Sequence, residues 1–478
     1  MNEIKFGTDG WRGVIAADFT MKRVALVATA ATQILADIYG KTSGSRTVVV
    51  GYDRRFMAET FAKKTAEVVQ SLGFDVLLSE SYAPTPAFSW AANNQNALGA
   101  LVLTASHNPA SYLGLKVKGA FGGSVPPEIT QKIEAQLAQP SALASTPGKI
   151  QFFDPWSSYC EALGSKVNLA SIQNLISQGK LTVFADVMHG AAAGGLSKIL
   201  NVPIQELNSS RDPLFGGGAP EPLPRYLSQL FRHIRTHRRQ AEAALRVGLV
   251  FDGDSDRIAA VDGQGNFLSS QILIPILIEH LASRRQETGE VVKTISGSDL
   301  IPQIAQLYQL PLHETPIGYK YIADRMVSTQ VLLGGEESGG IGYGTHIPER
   351  DALLSALYLL EAIAESGMDL SQLYQHLQEQ TGYTSVYDRI DLHLAGMEER
   401  SRLLNQLQTQ PPTEINGQAV VDCLTIDGYK FRLADGSWLL IRFSGTEPVL
   451  RLYCEASTPE QVRQTLSWAK DWANQNQG

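Results

Sequence analysis

The chain is poor in cysteine, and the few cysteines it has exclude two kinds of cross-linked protein. Its 478 residues include three, Cys160, Cys423 and Cys454, which are widely separated along the sequence. An odd and scattered set of this kind forms neither a disulfide framework nor a CxxC metal site. We therefore expect a protein of a reducing compartment.

Long apolar runs are also missing. The most apolar stretch, ILIPILIEHLA from Ile272, is interrupted by Glu279 and His280, and no run reaches the roughly 18 apolar residues that a membrane span needs. The N-terminus carries Glu3 and Asp9 where a secretory signal would have its apolar segment. These absences predict no contact with a membrane and a cytoplasmic location.

An excess of positive charge is absent as well. The chain has 40 Lys and Arg against 48 Asp and Glu, a net charge of −8, which argues against nucleic acid as a partner. One stretch, Arg225–Arg246, is basic. It could bind an anion or nucleic acid, but no aromatic platform accompanies it, so we interpret it as a solvated helix face. The arginines in question are Arg232, Arg235, Arg238, Arg239 and Arg246.

Apolar residues make up 44% of the chain and charged residues 18%, which excludes a disordered protein. At roughly 100–200 residues per domain, the length predicts three or four domains. Short β-branched runs alternate with helical patterns, which indicates the α/β class with parallel sheets. The segment from about Tyr383 alternates as strands before a final helix from Pro459, and predicts a smaller α+β domain. The predicted strands are Thr47–Val50, Asp75–Leu78, Ala100–Leu103, Leu181–Phe184, Val247–Phe251 and Val291–Ile295.

Three aspartates, Asp252, Asp254 and Asp256, alternate in the sequence FDGDSDR directly after an apolar strand. Carboxylates this close repel one another, so a cation would stabilise them, and oxygen ligands suit Mg²⁺ or Ca²⁺. An EF-hand would need Gly and Glu where Arg257 and Gly263 stand. A solvated acidic turn is the alternative, but the position at the end of a strand favours a ligand site.

Ser106 follows another predicted strand in the segment TASHNPASYLGLK, with His107 and Asn108 beside it and Lys116 further on. The small residues around Ser106 predict an accessible side chain that could act as a nucleophile. No GxSxG elbow surrounds it, so esterase chemistry is not supported. Taken alone, the segment is also explained by an ordinary Ser/Asn-rich turn.

Three further segments carry ligand-binding chemistry. Glu336, Glu337 and Ser338 lie in GGEESGGIGYG, where glycines allow close approach of a ligand and the side chains suit sugar hydroxyls. This segment is neither GxGxxG nor a Walker A sequence, and a Gly-rich loop alone does not define a ligand.

The segment RFSGTEPVLR carries Arg442 and Arg451 on either side of a turn that could hold a phosphate dianion. A hairpin with cross-strand charges is the alternative. Arg12 follows a Gly-rich turn in FGTDGWRG, which alone could be an N-terminal cap.

Together these five segments, between residues 6 and 451, resemble the α-D-phosphohexomutase superfamily, the phosphoglucomutase/phosphomannomutase enzymes, in order and approximate spacing. The chain is most similar to phosphoglucomutases. The resemblance implies a four-domain, heart-shaped α/β protein: three related α/β domains, a smaller C-terminal α+β domain, and one loop from each in a central cleft. The expected domains are 1–150 with the serine loop, 151–268 with the metal loop, 269–382 with the sugar loop and 383–478 with the phosphate loop.

The same resemblance implies a role for each matching residue. Ser106 would carry a phosphoryl group, and its phosphate oxygen would join the three aspartates in holding Mg²⁺. The residues expected around the phosphoserine are Arg12, His107, Lys116 and Arg257, with Lys116 as the candidate proton shuttle. The residues expected to bind the sugar are Glu336, Ser338 and Lys320. Those expected to hold its non-reacting phosphate are Arg442, Ser444, Gly445, Thr446 and Arg451. A dianionic phosphoserine and three aspartates carry about −5, of which Mg²⁺ offsets only 2, so the local cations are needed as counter-charges.

The implied reaction is a reversible transfer of phosphate between C1 and C6 of a hexose phosphate, above all glucose 1-phosphate and glucose 6-phosphate. It proceeds through a phosphoserine enzyme and a 1,6-bisphosphate intermediate, with glucose 1,6-bisphosphate as activator. The expected partners are small sugar phosphates, and the sequence leaves the oligomeric state open.

The chain departs from its family in the sugar loop. Phosphomannomutase-like and phosphoglucosamine-type members commonly end this loop in SGH, whereas here it reads Ser338-Gly339-Gly340. The missing histidine favours a phosphoglucomutase, and it leaves the route of the proton open. Phosphomannomutase, phosphopentomutase and glucose 1,6-bisphosphate synthase activities are the alternatives within the family.

Two alternatives lie outside it. A haloacid-dehalogenase-type phosphatase also places DxD after a strand, but it would leave TASHNP and RFSGTEP without a purpose. A non-catalytic sugar-phosphate-binding protein would need neither Ser106 nor the aspartates.

Overall fold

Four sheets follow one another along the chain in the computed structural model, which describes residues 3–7, 9–139, 144–240, 244–444 and 448–475. The first sheet has seven strands, β1 (Phe6–Gly7), β2 (Gly10–Val14), β3 (Thr47–Tyr52), β4 (Asp75–Ser79), β5 (Gly99–Leu103), β6 (Tyr112–Gly119) and β7 (Ile150–Phe153). Its helices are α1 (Met21–Ser43), α2 (Ala58–Ser71), α3 (Thr85–Asn94) and α4 (Pro127–Gln136). Strands β5, β3, β4 and β7 lie side by side and run parallel. Helices cover both faces of such a sheet, which is why a strand such as β3 is a continuous apolar run.

The second sheet is built from β8 (Leu181–Asp186), β9 (Gln205–Leu207), β10 (Leu245–Phe251), β11 (Ile258–Val261) and β12 (Phe267–Leu268). Its helices are α5 (Ser157–Gly164), α6 (Leu169–Ser177), α7 (Gly195–Leu200) and α8 (Ser228–Gln240). Strands β8, β9 and β10 are parallel, and the aspartate segment connects β10 to its antiparallel neighbour β11. The sheet therefore carries that segment at the carboxyl end of a parallel strand.

The third sheet consists of β13 (Glu290–Thr294), β14 (Leu312–Thr315), β15 (Val331–Gly335) and β16 (Ile341–Tyr343). Its helices are α9 (Ser270–Glu279), which continues as a short π-helix over His280–Arg284, α10 (Leu300–Leu307), α11 (Tyr319–Ser328), α12 (Ala352–Ser366) and α13 (Leu370–Thr381). Helix α12 is buried from Ala352 to Ile363, because it packs within one apolar core shared by the first three sheets. The Asp351 side chain caps it by accepting a hydrogen bond from the Leu354 N–H at 2.9 Å.

The fourth sheet is antiparallel and comprises β17 (Val386–His393), β18 (Glu414–Ile415), β19 (Gln418–Leu424), β20 (Tyr429–Leu433), β21 (Trp438–Phe443) and β22 (Val449–Ala456). Helices α14 (Met397–Thr409) and α15 (Pro459–Gln475) cover one face. On the other face, Trp438, Leu440 and Tyr453 pack against Ile295 of the third unit. This is the α+β arrangement that the sequence predicts.

All six predicted strands are present, with ends shifted by at most two residues. Strand β7, the last of the first sheet, lies across the expected boundary at residue 150. The basic stretch is largely the exposed face of α8, but Arg246 does not belong to it. That residue is buried on β10, where its guanidinium donates to the Ala244 carbonyl at 2.6 Å. Among the described helices, none combines the length and apolarity that crossing a bilayer requires.

Candidate active site

Loops from all four sheets line one cleft of about 580 Å³. Of the predicted site residues, those at the cleft surface are Arg12, Ser106, His107, Arg257, Lys320, Glu336, Ser338, Arg442 and Arg451. Lys116, Asp252, Asp254 and Asp256 are at most 1% exposed, and Ser444 is buried as well. Gly445 and Thr446 lie outside the described residues. The structure thus brings segments that are distant in sequence to one place.

Ser106 is more enclosed than the sequence suggests. Its residue is 1% exposed, because Gly253 of the aspartate segment packs so closely that an added Cβ there would lie 2.4 Å from the Ser106 carbonyl oxygen. The Ser106 Oγ donates a hydrogen bond to Asp252 Oδ2 at 2.8 Å and lies 3.2 Å from His107 Nδ1. The backbone φ of Ser106 is +51°, a left-handed conformation that a non-glycine residue adopts only when its surroundings hold it there.

Arg55, which the sequence analysis did not single out, holds the Ser106 loop. Its guanidinium is buried and donates to the carbonyl oxygens of Ser106 at 2.5 Å and Asn108 at 2.6 Å. It also donates to those of Pro109 and Tyr112, at 3.0 and 3.1 Å. Arg55 follows β3, the parallel neighbour of the strand that precedes Ser106. Polar residues after adjacent parallel strands meet at one edge, so this signal was present in the sequence.

The three aspartates form a compact buried cluster, with ligand oxygens within 4.8 Å of one another. Asp252 Oδ1 accepts from the N–H groups of Asp256 and Arg257, at 3.1 and 3.2 Å, and Thr85 Oγ1 donates to Asp254 Oδ2 at 2.5 Å. Asp254 Oδ1 and Asp256 Oδ1 are buried without a hydrogen-bond partner in the described part of the chain. Buried carboxylate oxygens left free within such a cluster fit a hard divalent cation such as Mg²⁺.

Burial and neighbouring charges set the protonation of this cluster. Burial raises the pKa of Asp252 well above its usual value, and the adjacent Asp254 and Asp256 raise it further. Burial also opposes charge on Asp254, but Lys116 outweighs it and holds the pKa of Asp254 below its usual value. Lys116 Nζ lies 2.8 Å from Asp254 Oδ2, 2.8 Å from Asp256 Oδ2 and 2.6 Å from Asp9 Oδ2. Burial disfavours the charged form of Lys116, but these carboxylates outweigh that effect and raise the pKa of Lys116. Lys116 is therefore a firmly protonated counter-ion.

Arg12, Arg257 and His107 flank Ser106. Arg12 Nη1 donates to Asn108 Oδ1 at 2.5 Å, and Arg257 Nε lies 3.8 Å from Asp256 Oδ1. Burial, followed by the charges of Arg257 and Arg12, lowers the pKa of His107 to about 2. The imidazole beside Ser106 is consequently neutral, and the positive charge here comes from the arginines.

A second set of ionic residues extends the cluster and was missed in the sequence. Lys118 Nζ lies 2.5 Å from Glu349 Oε2 and 3.2 Å from Asp9 Oδ1. Asp9 stands within FGTDGWRG, and Lys118 is two residues beyond Lys116 on β6, so it shares that face of the strand. Asp9 and Lys118 could therefore have been predicted from the sequence. Glu349 and its neighbour Arg350 precede α12, where no motif indicates them.

The sugar loop joins β15 to β16 and packs against the aspartate segment. The Glu336 N–H donates to the Gly340 carbonyl at 2.9 Å, and the Ile258 N–H donates to the Gly339 carbonyl at 3.0 Å. Burial raises the pKa of Glu336 to about 7, although the nearby Arg350 works in the opposite direction. Ser338 lines the cleft beside it, and Lys320 stands in the first turn of α11. The loop thus offers a carboxyl group, a hydroxyl and an ammonium to a ligand.

The fourth unit presents guanidinium groups to the cleft. Arg442 and Arg451 face each other across β21 and β22. The two strands pair antiparallel, but the facing charges are alike, which favours an anion between them. Asp427 lies 3.0 Å from Arg442, and Asp391 lies 3.9 Å from Arg451. A third guanidinium, that of Arg389 on β17, also lines the cleft and was not anticipated.

Comparison with known proteins gives a consistent result for all four units. The chain matches the family models for phosphoglucomutase/phosphomannomutase α/β/α domain I over residues 3–143, domain II over 157–265, domain III over 269–381, and the C-terminal domain over 399–467. It is 27% identical to a phosphoglucomutase/phosphomannomutase of Thermococcus kodakarensis, covering 96% of each chain. It is 29% identical to a phosphoglucosamine mutase of Thermotoga maritima, covering 96% of this chain and 97% of that one.

A solved structure extends the comparison to three dimensions. A crystal structure from Thermus thermophilus, provisionally named a phosphomannomutase, superposes with a TM-score of 0.85 at 32% identity and covers 99% of both chains. Sequence and fold therefore agree over essentially the whole length described.

Proposed function

The chain belongs to the phosphoglucomutase/phosphomannomutase family, and on that premise we propose that it transfers a phosphoryl group reversibly between C1 and C6 of glucose phosphates. The observation that carries the proposal is the position of Ser106. Its Oγ lies 2.8 Å from Asp252 of the buried carboxylate cluster, and Ser106 borders the cleft that Arg442 and Arg451 also line. A phosphorylatable hydroxyl, a cation site and a second phosphate site are what a phosphosugar mutase requires.

Asp252, Asp254 and Asp256, with a phosphate oxygen on Ser106, would hold Mg²⁺, which when bound would offset the negative charge of the phosphoryl group during transfer. The remaining chemistry belongs to the chain. Arg12 and Arg257 supply fixed positive charge beside Ser106, and such preorganised charge stabilises the transferring phosphoryl group. The burial of Ser106 would limit the access of water and so protect a phosphoserine from hydrolysis.

Each half of the proposed cycle conserves the phosphoryl group. The bond between Ser106 Oγ and phosphorus breaks while a sugar hydroxyl oxygen bonds to that phosphorus, and the proton lost by the hydroxyl is balanced by one gained by Ser106 Oγ. The product is a sugar 1,6-bisphosphate, which turns over in the cleft and returns its other phosphate to Ser106. Arg442 and Arg451 would hold the non-reacting phosphate in both orientations. Lys116 stays the predicted proton shuttle: its protonated Nζ, which lies among Asp9, Asp254 and Asp256, would give a proton to the departing Ser106 Oγ and take up the hydroxyl proton.

Glucose is proposed over an amino sugar because of the residue at position 340. Phosphoglucosamine-type members commonly carry a histidine there, whereas this chain has Gly340. Glu336 beside it is expected to accept hydrogen bonds from sugar hydroxyls. The names of several relatives point to glucosamine phosphate, so any assay must also test glucosamine phosphate as a substrate.

The test is phosphorylation and turnover in a Ser106→Ala variant. Wild-type protein incubated with glucose 1,6-bisphosphate and MgCl₂ should gain one phosphoryl group in an intact-mass measurement, and EDTA should suppress turnover. Ser106→Ala should gain none and should lose at least ~10³-fold in kcat, with unchanged circular dichroism. Ser111→Ala is the matched control, because Ser111 lies exposed near the same loop. Full activity in Ser106→Ala would refute the proposal.

A further inference from the structure

Arg350 lines the cleft at the place where residues of the first three domains meet. Its guanidinium lies 2.5 Å from Asp9 Oδ2 of the first domain and 2.8 Å from Asp256 Oδ2 of the second. It also approaches Glu336 of the third domain, at 4.0 Å, and lies over the ring of Tyr319. The residue is 5% exposed. A cation this deeply enclosed must be matched by carboxylates, and here they come from three separate segments.

The space that Arg350 occupies is left by Gly340. A Cβ added at Gly340 would lie 2.3 Å from Arg350 Cδ and 3.0 Å from its Cγ. These atoms are in the middle of the side chain, so any displacement would carry the guanidinium away from its carboxylates. Gly340 is not among the glycines with positive φ, so its backbone would accept another residue. Position 340 therefore requires glycine because a side chain would collide with Arg350, and not because of the backbone conformation.

Arg350 also fixes the orientation of one aspartate. Asp256 Oδ2 receives both Lys116 Nζ and Arg350 Nη2, each at 2.8 Å. The other oxygen, Oδ1, is buried without a hydrogen-bond partner among the described residues, with Arg257 Nε at 3.8 Å, and Asp256 is a member of the three-carboxylate cluster. Because two cations hold Oδ2, the carboxylate is fixed in place and Oδ1 is left as the oxygen available to a metal ion. A group held in this way needs less reorganisation when the ion arrives.

We propose that Arg350 is a positioning residue for the cation site, and that Gly340 exists to make room for it. The activity part of this inference rests on the proposed function, whereas the cation-binding part does not. The two positions form a steric pair in which a side chain at 340 and a long cation at 350 exclude each other. Removing Arg350 and displacing it with a side chain at position 340 should therefore both weaken the binding of Mg²⁺.

The experiment is a double-mutant cycle of Arg350→Ala and Gly340→Ala, with MgCl₂ as the probe. We expect each single variant to raise the Mg²⁺ dissociation constant at least threefold by titration calorimetry, and to lower kcat/KM for glucose 1-phosphate at least tenfold. The double variant should be no worse than Arg350→Ala alone, because the clash disappears with the arginine. Arg350→Lys, which keeps one cation, should recover part of the Mg²⁺ affinity and carries the test if Arg350→Ala does not fold.

Two controls isolate the effect. Arg238→Ala removes an exposed arginine from α8, and Gly396→Ala adds a Cβ with no atom within 4 Å; both should bind Mg²⁺ as the wild type does. Wild-type Mg²⁺ affinity in Arg350→Ala, or losses that multiply in the double variant, would overturn the inference. If the wild-type protein transferred no phosphoryl group, the proposed function would fail, and the Mg²⁺ cycle would still decide this inference.

Discussion

Ser106 combines a strained backbone with a buried side chain, and Arg55 is what makes this possible. A left-handed φ costs a non-glycine residue roughly 1–2 kcal/mol. Four carbonyl oxygens of the loop accept hydrogen bonds from the Arg55 guanidinium, and bonds to a charged donor contribute about 1.5–3 kcal/mol each. The arginine therefore holds the serine in the conformation that directs Oγ to Asp252.

Arg55→Lys should consequently impair catalysis more than folding. The ammonium keeps a positive charge near Asp53, which lies 3.4 Å from Arg55 Nε, but it cannot span four carbonyl groups. We expect kcat to fall at least tenfold, and the urea midpoint to fall by no more than the loss of one or two of these hydrogen bonds implies. Arg225→Lys on the exposed surface is the control. A wild-type kcat in Arg55→Lys would contradict this account of the loop.

Glu336 should impose a pH dependence on substrate binding. Burial raises its pKa to about 7, so the carboxylate that accepts from sugar hydroxyls is lost as the pH falls below 7. We expect kcat/KM to decline on that side, and the decline to flatten in Glu336→Gln. Glu365→Gln at an exposed position of α12 serves as the control. The sign for stability is opposite: a raised carboxyl pKa favours the folded state at low pH, and this contribution is lost as the pH rises through about 7.

The residues that the sequence predicted and those it missed differ in how they are encoded. Ser106 and the three aspartates are contiguous in short motifs at strand ends, so their chemistry is visible without a fold. Arg350 pairs with Asp9, 341 positions away in sequence, and only the packing of α12 into the shared core brings them together. No local pattern can carry information of that kind.

The loops that follow β5 and β10 meet in direct backbone contact. Gly253 leaves so little space that an added Cβ would lie 2.4 Å from the Ser106 carbonyl oxygen and 2.9 Å from Pro220. Its φ is not positive, so the requirement for glycine is steric. The distance between Ser106 Oγ and the aspartate cluster thus depends on how closely the loops after β5 and β10 pack.

Gly253→Ala should separate these loops. Since neither contact is with the end of a flexible side chain, the backbone must move, and we expect kcat to drop more than tenfold, together with a weaker response to Mg²⁺. Gly396→Ala, with open space around the added Cβ, should behave as the wild type in the same assay. Equal activities in the two variants would show that the loop spacing does not matter.

Strands were easier to predict than short connecting elements. Strands β3, β5 and β10 are buried on both faces, and this makes them continuous apolar runs that stand out in any sequence. Strands β1, β12 and β18 have two residues each, too few to show a period. Their pairing depends on neighbours that the sequence does not identify.

On the scale of the whole molecule, the fourth domain is attached to the third through a buried carboxylate. Glu455 on β22 is fully buried. It accepts hydrogen bonds from Ser298 Oγ at 2.5 Å, the Asp299 N–H at 2.8 Å and Trp438 Nε1 at 2.6 Å, and also from Ser385 Oγ. The sequence predicted four domains but not this contact, which joins residues 157 positions apart.

Glu455→Ala should loosen the fourth domain. It leaves several buried donors without a partner, each at a cost of about 1–3 kcal/mol. We expect a lower urea midpoint and faster proteolysis near residue 383. KM should rise more than kcat falls, because Arg442 and Arg451 lie on that domain. Glu460→Ala on the exposed face of α15 is the control, and an unchanged proteolysis rate in Glu455→Ala would contradict the role of this contact.

The proposal that the protein is a phosphosugar mutase is best tested by ³¹P NMR of the purified protein with MgCl₂ and a trace of glucose 1,6-bisphosphate. Glucose, mannose, glucosamine and ribose 1-phosphates are supplied separately. We expect the glucose 1-phosphate signal to convert fastest to that of the 6-phosphate, without inorganic phosphate. Release of inorganic phosphate instead, or no conversion of any of the four sugars, would contradict it.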